Sequence, residues 1–385
     1  MSNRGYGCIR MKTSLIKKLD AVVGCTLASM FPRPVHNELS FPLSSLLLIR
    51  PGGIGDAVLL APTINSLKKT NPQIHITILA EQRNSGAFSL IPGIDKLFCY
   101  DHPHEFILAL NGRYDVVIDT EQWYRLPAVV SRLVSAPVKI GFDTNERRRM
   151  FTQAIGYDQN AYEPVNFIAL LKPLGIDFQC DAESVTLSVP YQLVSKSNQL
   201  LQPLCTESFV VIFPGASIAE KRWGADRFRS VAEALSAFGV KIVVVGGKED
   251  RQQGEVITGG GLGLNLAGLT SLSETAAVIQ RSSLLLSGDS GVLHIAVGLG
   301  VPTVSMFGPG RAKKWAPQGE HHLVINKGLP CSPCTTFGNT PPCPHDTRCM
   351  REITVDEVVN AVTMLLTSVG AMPSTCCKRD WIEPV

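Results

Sequence analysis

The chain has 385 residues, of which 45% are hydrophobic and 18% charged, and its formal net charge is +3. This length suits two domains of about 150–170 residues each. The composition is that of an ordinary globular protein, and the small net charge argues against a nucleic-acid-binding protein. No apolar run reaches the roughly 18–20 residues that a membrane-spanning helix needs.

The N-terminal extension, residues 1–43, differs in charge from the rest of the chain. It has a net charge of +4, while the remaining residues are close to neutral. Apolar residues recur at helical spacing within residues 11–31: Leu15, Ile16, Leu19, Val22, Val23, Leu27 and Met30. A basic amphipathic helix of this kind suits either an anionic membrane surface or packing against the body of the protein.

Residues 44–190 alternate between short apolar runs and helical stretches. Strands are predicted at 46–50, 74–80 and 115–119. The first strand runs into the glycine-rich sequence Arg-Pro-Gly-Gly-Ile-Gly-Asp that ends at Asp56, and a helix is predicted over 57–69. Strand–helix–strand order predicts a mainly parallel sheet.

A second domain is predicted over 207–370, after a linker at 191–206 and before a tail at 371–385. Its strands are predicted at 209–213, 240–246, 284–287 and 302–306, and its helices at 225–238 and 355–366. Pro-Gly follows an apolar strand at 51–52 and again at 214–215. Because the two halves begin alike, we expect two similar α/β domains facing one cleft.

The most informative motif is the turn Gly288-Asp289-Ser290-Gly291. It lies between the apolar run 284–286 and a helix-like segment that contains His294. Backbone N–H groups at such a helix start bind a nucleotide diphosphate in many α/β proteins. The alternative is a simple helix cap by Asp289 or Ser290.

Three motifs together resemble glycosyltransferase family 9, the ADP-heptose:lipopolysaccharide heptosyltransferases. They are the glycine-rich sequence ending at Asp56, the segment Lys221-Arg222-Trp223 and the turn at 288–291, in the family's order and spacing. The resemblance runs from about Leu46 to Leu366. It implies a GT-B fold, with two Rossmann-like domains facing a cleft, and an inverting glycosyltransferase that needs no cofactor.

By this resemblance, the enzyme moves a heptose or similar sugar from an ADP-sugar, expected to be ADP-heptose, to a lipopolysaccharide core or other lipid-linked glycan. Asp56 is the expected general base; the alternative is that it only caps the next helix. Lys221 is expected to stabilise the leaving diphosphate. The other expected donor contacts are Ser217, Arg222, Glu249, Thr270, Asp289, Ser290, Gly291 and His294.

The segment Tyr114–Arg125 ends a strand at its carboxyl edge, where ligands of α/β proteins bind. Family members often carry a glycine-containing loop after Asp119, but this chain has Glu-Gln-Trp-Tyr-Arg at 121–125. Contact with the acceptor is expected here, and the departure leaves the identity of the acceptor open.

The chain has 11 cysteines, an odd and scattered set that favours a reducing compartment. A cytoplasmic protein is expected, peripheral on the cytoplasmic face of the inner membrane. Four cysteines cluster in a proline-rich loop at 331–349: Cys331, Cys334, Cys343 and Cys349. The C-x2-C spacing suits half of a structural zinc site, and free thiols or a facultative disulfide are the alternatives.

Two rival functions are weaker. A Rossmann-type NAD-binding oxidoreductase would carry G-x-G-x-x-G after its first strand, with an acidic residue about 20 positions later, and this pattern is absent from the sequence. A non-catalytic sugar-nucleotide-binding protein would not need both Asp56 and Lys221.

Overall fold

The computed structural model describes residues 20–32, 34–35, 42–177, 184–204 and 208–372. Its β-structure consists of two six-stranded sheets, one in each half of the chain. The first sheet contains β1 Ser45–Arg50, β2 His75–Ala80, β3 Lys96–Cys99, β4 Val116–Asp119, β5 Val138–Phe142 and β6 Gln153–Ile155. The second contains β7 Phe209–Phe213, β8 Lys241–Val244, β9 Gly263–Asn265, β10 Leu284–Gly288, β11 Thr303–Phe307 and β12 His322–Asn326.

Helices lie between successive strands and cover the sheets. Those of the first half are α1 Cys25–Met30, α2 Ile54–Val58, α3 Ala61–Thr70, α4 Gln82–Phe88, α5 Pro103–Asn111, α6 Leu126–Leu133 and α7 Glu163–Ala169. Then follow α8 Tyr191–Leu201, α9 Ala225–Ser236, α10 Arg251–Thr258, α11 Leu272–Gln280, α12 Gly291–Gly298, α13 Ala312–Trp315, α14 Arg348–Arg351 and α15 Val355–Ser368.

The two sheets have the same topology. The strand order is β3-β2-β1-β4-β5-β6 in the first and β9-β8-β7-β10-β11-β12 in the second, and all neighbouring strands are parallel. In each sheet the order reverses beside the first strand, between β1 and β4 and between β7 and β10. This is the doubly wound Rossmann order, so the predicted fold class is confirmed.

The strands that the sequence predicted are those with buried apolar runs, such as Leu46–Ile49, whose side chains are at most 1% exposed. Four strands that it missed, β3, β6, β9 and β12, lie at the edges of the sheets. Edge strands are half-solvated and carry no continuous apolar run. The fifth, β5, is interior but contains the buried Lys139, which donates a hydrogen bond to the carbonyl of Val134.

Two predicted segments have a different form. The helix predicted over 57–69 is divided into α2 and α3 around Leu59 and Leu60. The predicted linker at 191–206 contains the helix α8, which packs against α11. The exposed side of α8 is polar, so its sequence shows only a weak apolar pattern, and no helix was predicted there.

The described part of the N-terminal extension packs on the first half. Asp20 is buried, and its Oδ1 accepts hydrogen bonds from the backbone N–H groups of Arg125 and Leu126 at 2.7 Å each, at the start of α6. Ala28 lies in a small apolar cluster with Val129 and Phe151. Residues 11–19 of the predicted amphipathic helix lie outside the described residues. None of the described helices is long and apolar enough to cross a membrane.

Candidate active site

The predicted site residues follow the strands that flank the two points where strand order reverses. In the first half, Asp56 follows β1 and Trp123 follows β4. In the second half, Ser217 and Lys221 follow β7, and Asp289 follows β10. Parallel strands end at the same edge of a sheet, and ligands of doubly wound sheets bind in the crevice that opens there.

Asp56 is the third residue of α2 and has two partners. Its Oδ2 accepts a hydrogen bond from the N–H of Gly53 at 3.1 Å, which is the capping interaction. Its Oδ1 lies 2.9 Å from Nη2 of Arg50, and a quarter of the Asp56 side chain stays exposed. The carboxylate therefore caps the helix and also faces the cleft.

Arg50, which ends β1, is a residue whose role the sequence analysis missed. Its side chain is only 2% exposed, and its guanidinium donates to the carbonyl of Thr120 at 2.6 Å and to Oε1 of Gln122 at 3.4 Å. A cation buried this deeply requires a nearby anion. Asp56 supplies it, so Arg50 fixes the carboxylate in place. The sequence did contain a signal for this residue: an arginine at the end of a buried apolar run.

The turn after β10 has the geometry of a helix start. Ser290 caps α12, because its Oγ accepts the N–H of Leu293 at 3.2 Å. Asp289 instead forms an ion pair with Lys221, with Nζ 2.6 Å from Oδ2, and both side chains are mostly buried. Ser290 therefore caps the helix, while Asp289 pairs with Lys221. The cation that is expected to bind the diphosphate lies directly at the turn.

The two halves touch at these motifs. A Cβ at Gly291 would lie 2.8 Å from Cβ of Ile54 and 3.0 Å from the backbone N of Gly55. Only glycine therefore lets α12 approach the loop after β1 this closely. The sequence analysis assigned this glycine to phosphate approach; in the structure its nearest neighbours belong to the loop that carries Asp56.

His294 is buried next to this contact between α12 and the loop after β1. It is 4% exposed, and a Cβ at Gly55 would meet its Cδ2 at 2.8 Å. Burial lowers the pKa of His294, against the opposing effect of Asp289 and Asp56. The lowered pKa favours the neutral imidazole near pH 7, and the ring packs between the two halves; its contact with the donor stays a prediction.

The remaining predicted donor residues lie in the loops after β7, β8 and β9. Ser217 and Glu249 are exposed in the loops after β7 and β8. Arg222 is also exposed, and its Nη2 donates to the carbonyl of Ala216 at 3.1 Å, which closes the loop after β7. Thr270, after β9, shares a hydroxyl hydrogen bond of 2.8 Å with Thr275.

Asp250 is a second residue that the sequence analysis missed. It is 3% exposed and accepts the N–H of Gly247 at 2.9 Å. A Cβ at Gly215 would lie 2.6 Å from its Oδ1. The carboxylate of Asp250 thus lies between the loops after β7 and β8, and it caps its helix as Asp56 does in the other half.

A second contact between the halves is ionic. Nζ of Lys314, on α13, lies 2.6 Å from Oε2 of Glu163, and both side chains are nearly fully buried. Gln122 and the hydroxyl of Tyr157 also donate to Glu163. Burial raises the pKa of Glu163, with Lys314 acting in the opposite direction. Breaking one partner of such a buried pair typically costs about 3–5 kcal/mol.

The four cysteines of the proline-rich loop open onto one pocket, together with His345 and Glu220. All four are free thiols. Among the residues that the structure describes, three ligand atoms meet within 4.8 Å only at Cys99, His102 and Glu105, outside this loop. The structure therefore does not form the predicted zinc site, and a metal at these cysteines stays a prediction.

The sequence matches the family described as glycosyltransferase family 9 (heptosyltransferase) over residues 104–343. This match covers more than half of the chain. The chain belongs to glycosyltransferase family 9. The family resemblance inferred from the three motifs is confirmed. The chain is accordingly a glycosyltransferase, and neither the oxidoreductase nor the non-catalytic alternative describes it.

Related family 9 proteins cover most of this chain. A protein named lipopolysaccharide heptosyltransferase 3 from Escherichia coli is 29% identical over 298 residues, which is 71% of this chain and 86% of the relative. The lipopolysaccharide core heptosyltransferase OpsX of Haemophilus influenzae is 24% identical over 300 residues, or 73% of this chain and 84% of the relative.

Solved structures of the family share the fold. A glycosyl transferase family 9 protein from Veillonella parvula superposes with a TM-score of 0.72 at 22% identity, covering 86% of this chain and 99% of the other. The ADP-heptose lipopolysaccharide heptosyltransferase II of Escherichia coli gives 0.69 at 21% identity, covering 85% and 100%. These structures agree with two Rossmann-like domains in a GT-B arrangement.

Proposed function

We propose that this family 9 enzyme transfers a heptose from ADP-heptose to a lipopolysaccharide core or another lipid-linked glycan, with inversion at the transferred carbon. The observation that carries the proposal is the contact between the loop that carries Asp56 and the helix start that follows Asp289. A Cβ at Gly291 would lie 3.0 Å from the backbone N of Gly55, and Asp289 pairs with Lys221. Several relatives named as lipopolysaccharide heptosyltransferases support the sugar and the acceptor class.

Asp56 is proposed as the general base. Its carboxylate takes the proton of the acceptor hydroxyl, and the oxygen then attacks the anomeric carbon from the face opposite the nucleotide. The bond between that carbon and the diphosphate breaks, and ADP leaves with the electron pair. Arg50 keeps the carboxylate oriented, since it pairs with Oδ1, while a quarter of the Asp56 side chain stays exposed and can accept the proton.

Lys221 is proposed to neutralise the diphosphate as it leaves. In the structure Nζ faces Asp289, and a bound diphosphate would provide the alternative anion. Ser217, Ser290 and the N–H groups at the start of α12 lie on the same side and would donate to phosphate oxygens. Arg222, Glu249, Thr270 and Gly291 complete the proposed donor site, and the chemistry requires no metal.

A donor screen tests the proposal. We expect calorimetry to show tighter binding of ADP than of UDP, GDP or NAD, and the purified enzyme to transfer heptose from ADP-heptose to lipopolysaccharide from a heptose-deficient strain. Preferential binding of UDP or GDP, with no heptose transfer, would contradict the proposed donor and direct the search to another sugar nucleotide.

The basic N-terminus is proposed to bind the anionic cytoplasmic face of the inner membrane, where a lipid-linked acceptor would reside. Residues 1–18 contain five of the six basic residues of the extension: Arg4, Arg10, Lys12, Lys17 and Lys18. Each basic residue near an anionic surface contributes about 1 kcal/mol. A deletion that ends before Asp20 keeps the segment that packs on the first half of the protein.

We therefore expect deletion of residues 1–18 to abolish co-sedimentation with vesicles that contain anionic lipid, without lowering the melting temperature. Deletion of residues 1–40 should also lower the melting temperature, because it removes Asp20 and Ala28 from their partners on the first half. Vesicles of zwitterionic lipid are the control. Equal sedimentation of the full chain and the shorter deletion would show that these basic residues bind no membrane.

A further inference from the structure

Trp123 and Phe337, from opposite halves of the protein, form a stacked aromatic pair. Their ring centroids are 4.4 Å apart and the rings are inclined by 20°. Trp123 is still 39% exposed in this arrangement, so it is a large apolar side chain at the surface of the cleft. One face of its indole is covered by the phenyl ring, while part of the side chain remains open to solvent.

Phe337 stands at the tip of a tight hairpin within the cysteine-containing loop. Thr336 and Asn339 exchange backbone hydrogen bonds of 3.0 and 2.9 Å, so Phe337 and Gly338 are the two central residues. Both have positive φ, +44° and +69°, as a type I′ turn requires. Asparagine or glycine is normal at the first position. A phenylalanine there is strained, and such strain concentrates at functional sites.

The backbone on the other side of the stack is firmly held. The N–H of Trp123 donates to Oε1 of Glu121 at 3.0 Å, and its carbonyl accepts from Nδ2 of Asn145 at 2.9 Å. The indole is thus presented from a fixed position, as a binding platform should be. At the base of the hairpin the N–H groups of Cys334 and Thr335 donate to the carbonyl of Pro309, and the ring of Phe337 also lies 6.3 Å from that of Tyr157.

The position of Trp123 points to the acceptor side of the reaction. It follows Gln122, whose Oε1 accepts a hydrogen bond from Arg50, and Arg50 holds the carboxylate of Asp56. Asp56 follows β1 and Trp123 follows β4, the two strands that flank the reversal point of the first sheet. A group stacked on Trp123 therefore lies at the same edge of this sheet as the proposed base.

We propose that Trp123 is the platform for a sugar ring of the acceptor, and that Phe337 covers this platform until the acceptor displaces it. This inference rests on the proposed function. An aromatic face carries partial negative charge, which attracts the polarised C–H bonds on one face of a pyranose. The phenyl ring of Phe337 covers an area similar to such a face.

The test compares Trp123→Ala, Trp123→Phe and Phe337→Ala with wild type. The acceptor probe is a deacylated core oligosaccharide from heptose-truncated lipopolysaccharide, used with saturating ADP-heptose. We expect Trp123→Ala to raise the acceptor KM about tenfold or more, since it removes the stacked contact with the sugar. Trp123→Phe should restore most of the affinity. Phe337→Ala should lower the acceptor KM several-fold, because the platform is then uncovered.

Tyr191→Ala is the matched control, because this exposed aromatic residue begins α8 and does not belong to the Trp123–Phe337 pair. It should change neither the acceptor KM nor the Kd for ADP, and the platform variants should leave the Kd for ADP unchanged. An unaltered acceptor KM in Trp123→Ala would overturn the platform. A raised acceptor KM in Phe337→Ala would overturn displacement, since it would make Phe337 part of the bound-state wall.

Fluorescence separates this inference from the proposed function. Titration with the oligosaccharide alone, without donor, should change the tryptophan emission of wild type and not that of Trp123→Phe. Phe337→Ala should increase quenching by iodide in the free protein. Binding at Trp123 without heptose transfer would contradict the proposed donor and keep the platform. Heptose transfer without any fluorescence response would keep the function and reject the platform.

Discussion

Replacement of Asp56 by asparagine should lower kcat by about 10²–10⁴-fold, the usual contribution of a general base. Asparagine keeps the size of the side chain, but its single oxygen can replace only one of the two carboxylate oxygens that bind Gly53 and Arg50. It cannot accept a proton from the acceptor hydroxyl. The Kd for ADP should stay within about a factor of two of wild type, because the donor turn is unchanged. Initial rates and calorimetry measure the two quantities.

The matched control for this variant is Glu357→Gln. Glu357 also caps a helix, accepting the N–H of Thr354 at 2.8 Å, and also pairs with a cation, Lys327, but on α15. It should produce a small loss of stability and normal kcat. Full activity of Asp56→Asn would reduce Asp56 to a helix cap. A large drop in melting temperature would instead assign the loss to the unpaired Arg50, since an uncompensated buried charge is costly.

Replacement of Lys221 by methionine should weaken ADP binding and lower kcat by about 10²–10³-fold, the size of effect seen when one preorganised charge stabiliser is removed. Methionine keeps the apolar stem but offers no charge to the departing diphosphate. It also leaves the carboxylate of Asp289 without its partner at 2.6 Å, and that carboxylate would then repel a phosphate.

The double variant Lys221→Met with Asp289→Asn separates these two causes. If repulsion by the bare carboxylate dominates, the double variant should regain much of the ADP affinity while kcat stays low. Lys327→Met, which breaks an ion pair beside the edge strand β12 of the same half, should leave both quantities normal. Unchanged ADP affinity in Lys221→Met and in Asp289→Asn would mean that the nucleotide binds elsewhere.

The sequence by itself determined the fold class and the strands at the centre of each sheet. Buried parallel strands must be apolar along their whole length, as Leu46–Ile49 are, so they stand out as continuous runs. The glycine-containing turns directly after β1, β7 and β10 are also recognisable in the sequence. A chain that turns sharply from a strand into a helix needs glycine and a capping side chain. Asp56 and Asp289 lie in such turns, but their expected roles and that of Lys221 came from the resemblance to glycosyltransferase family 9.

Tertiary structure alone decided which of these residues meet. The pairing of Lys221 with Asp289 joins loops that follow different strands, and the contact of Gly291 with Gly55 joins different halves of the chain. No local pattern encodes such distances. The same holds for Arg50, whose charge is tolerated in the interior only because Asp56 lies beside it, and for Trp123, whose partner Phe337 lies more than 200 residues away in sequence. Long-range packing, rather than residue type, therefore turned a recognisable set of motifs into a site.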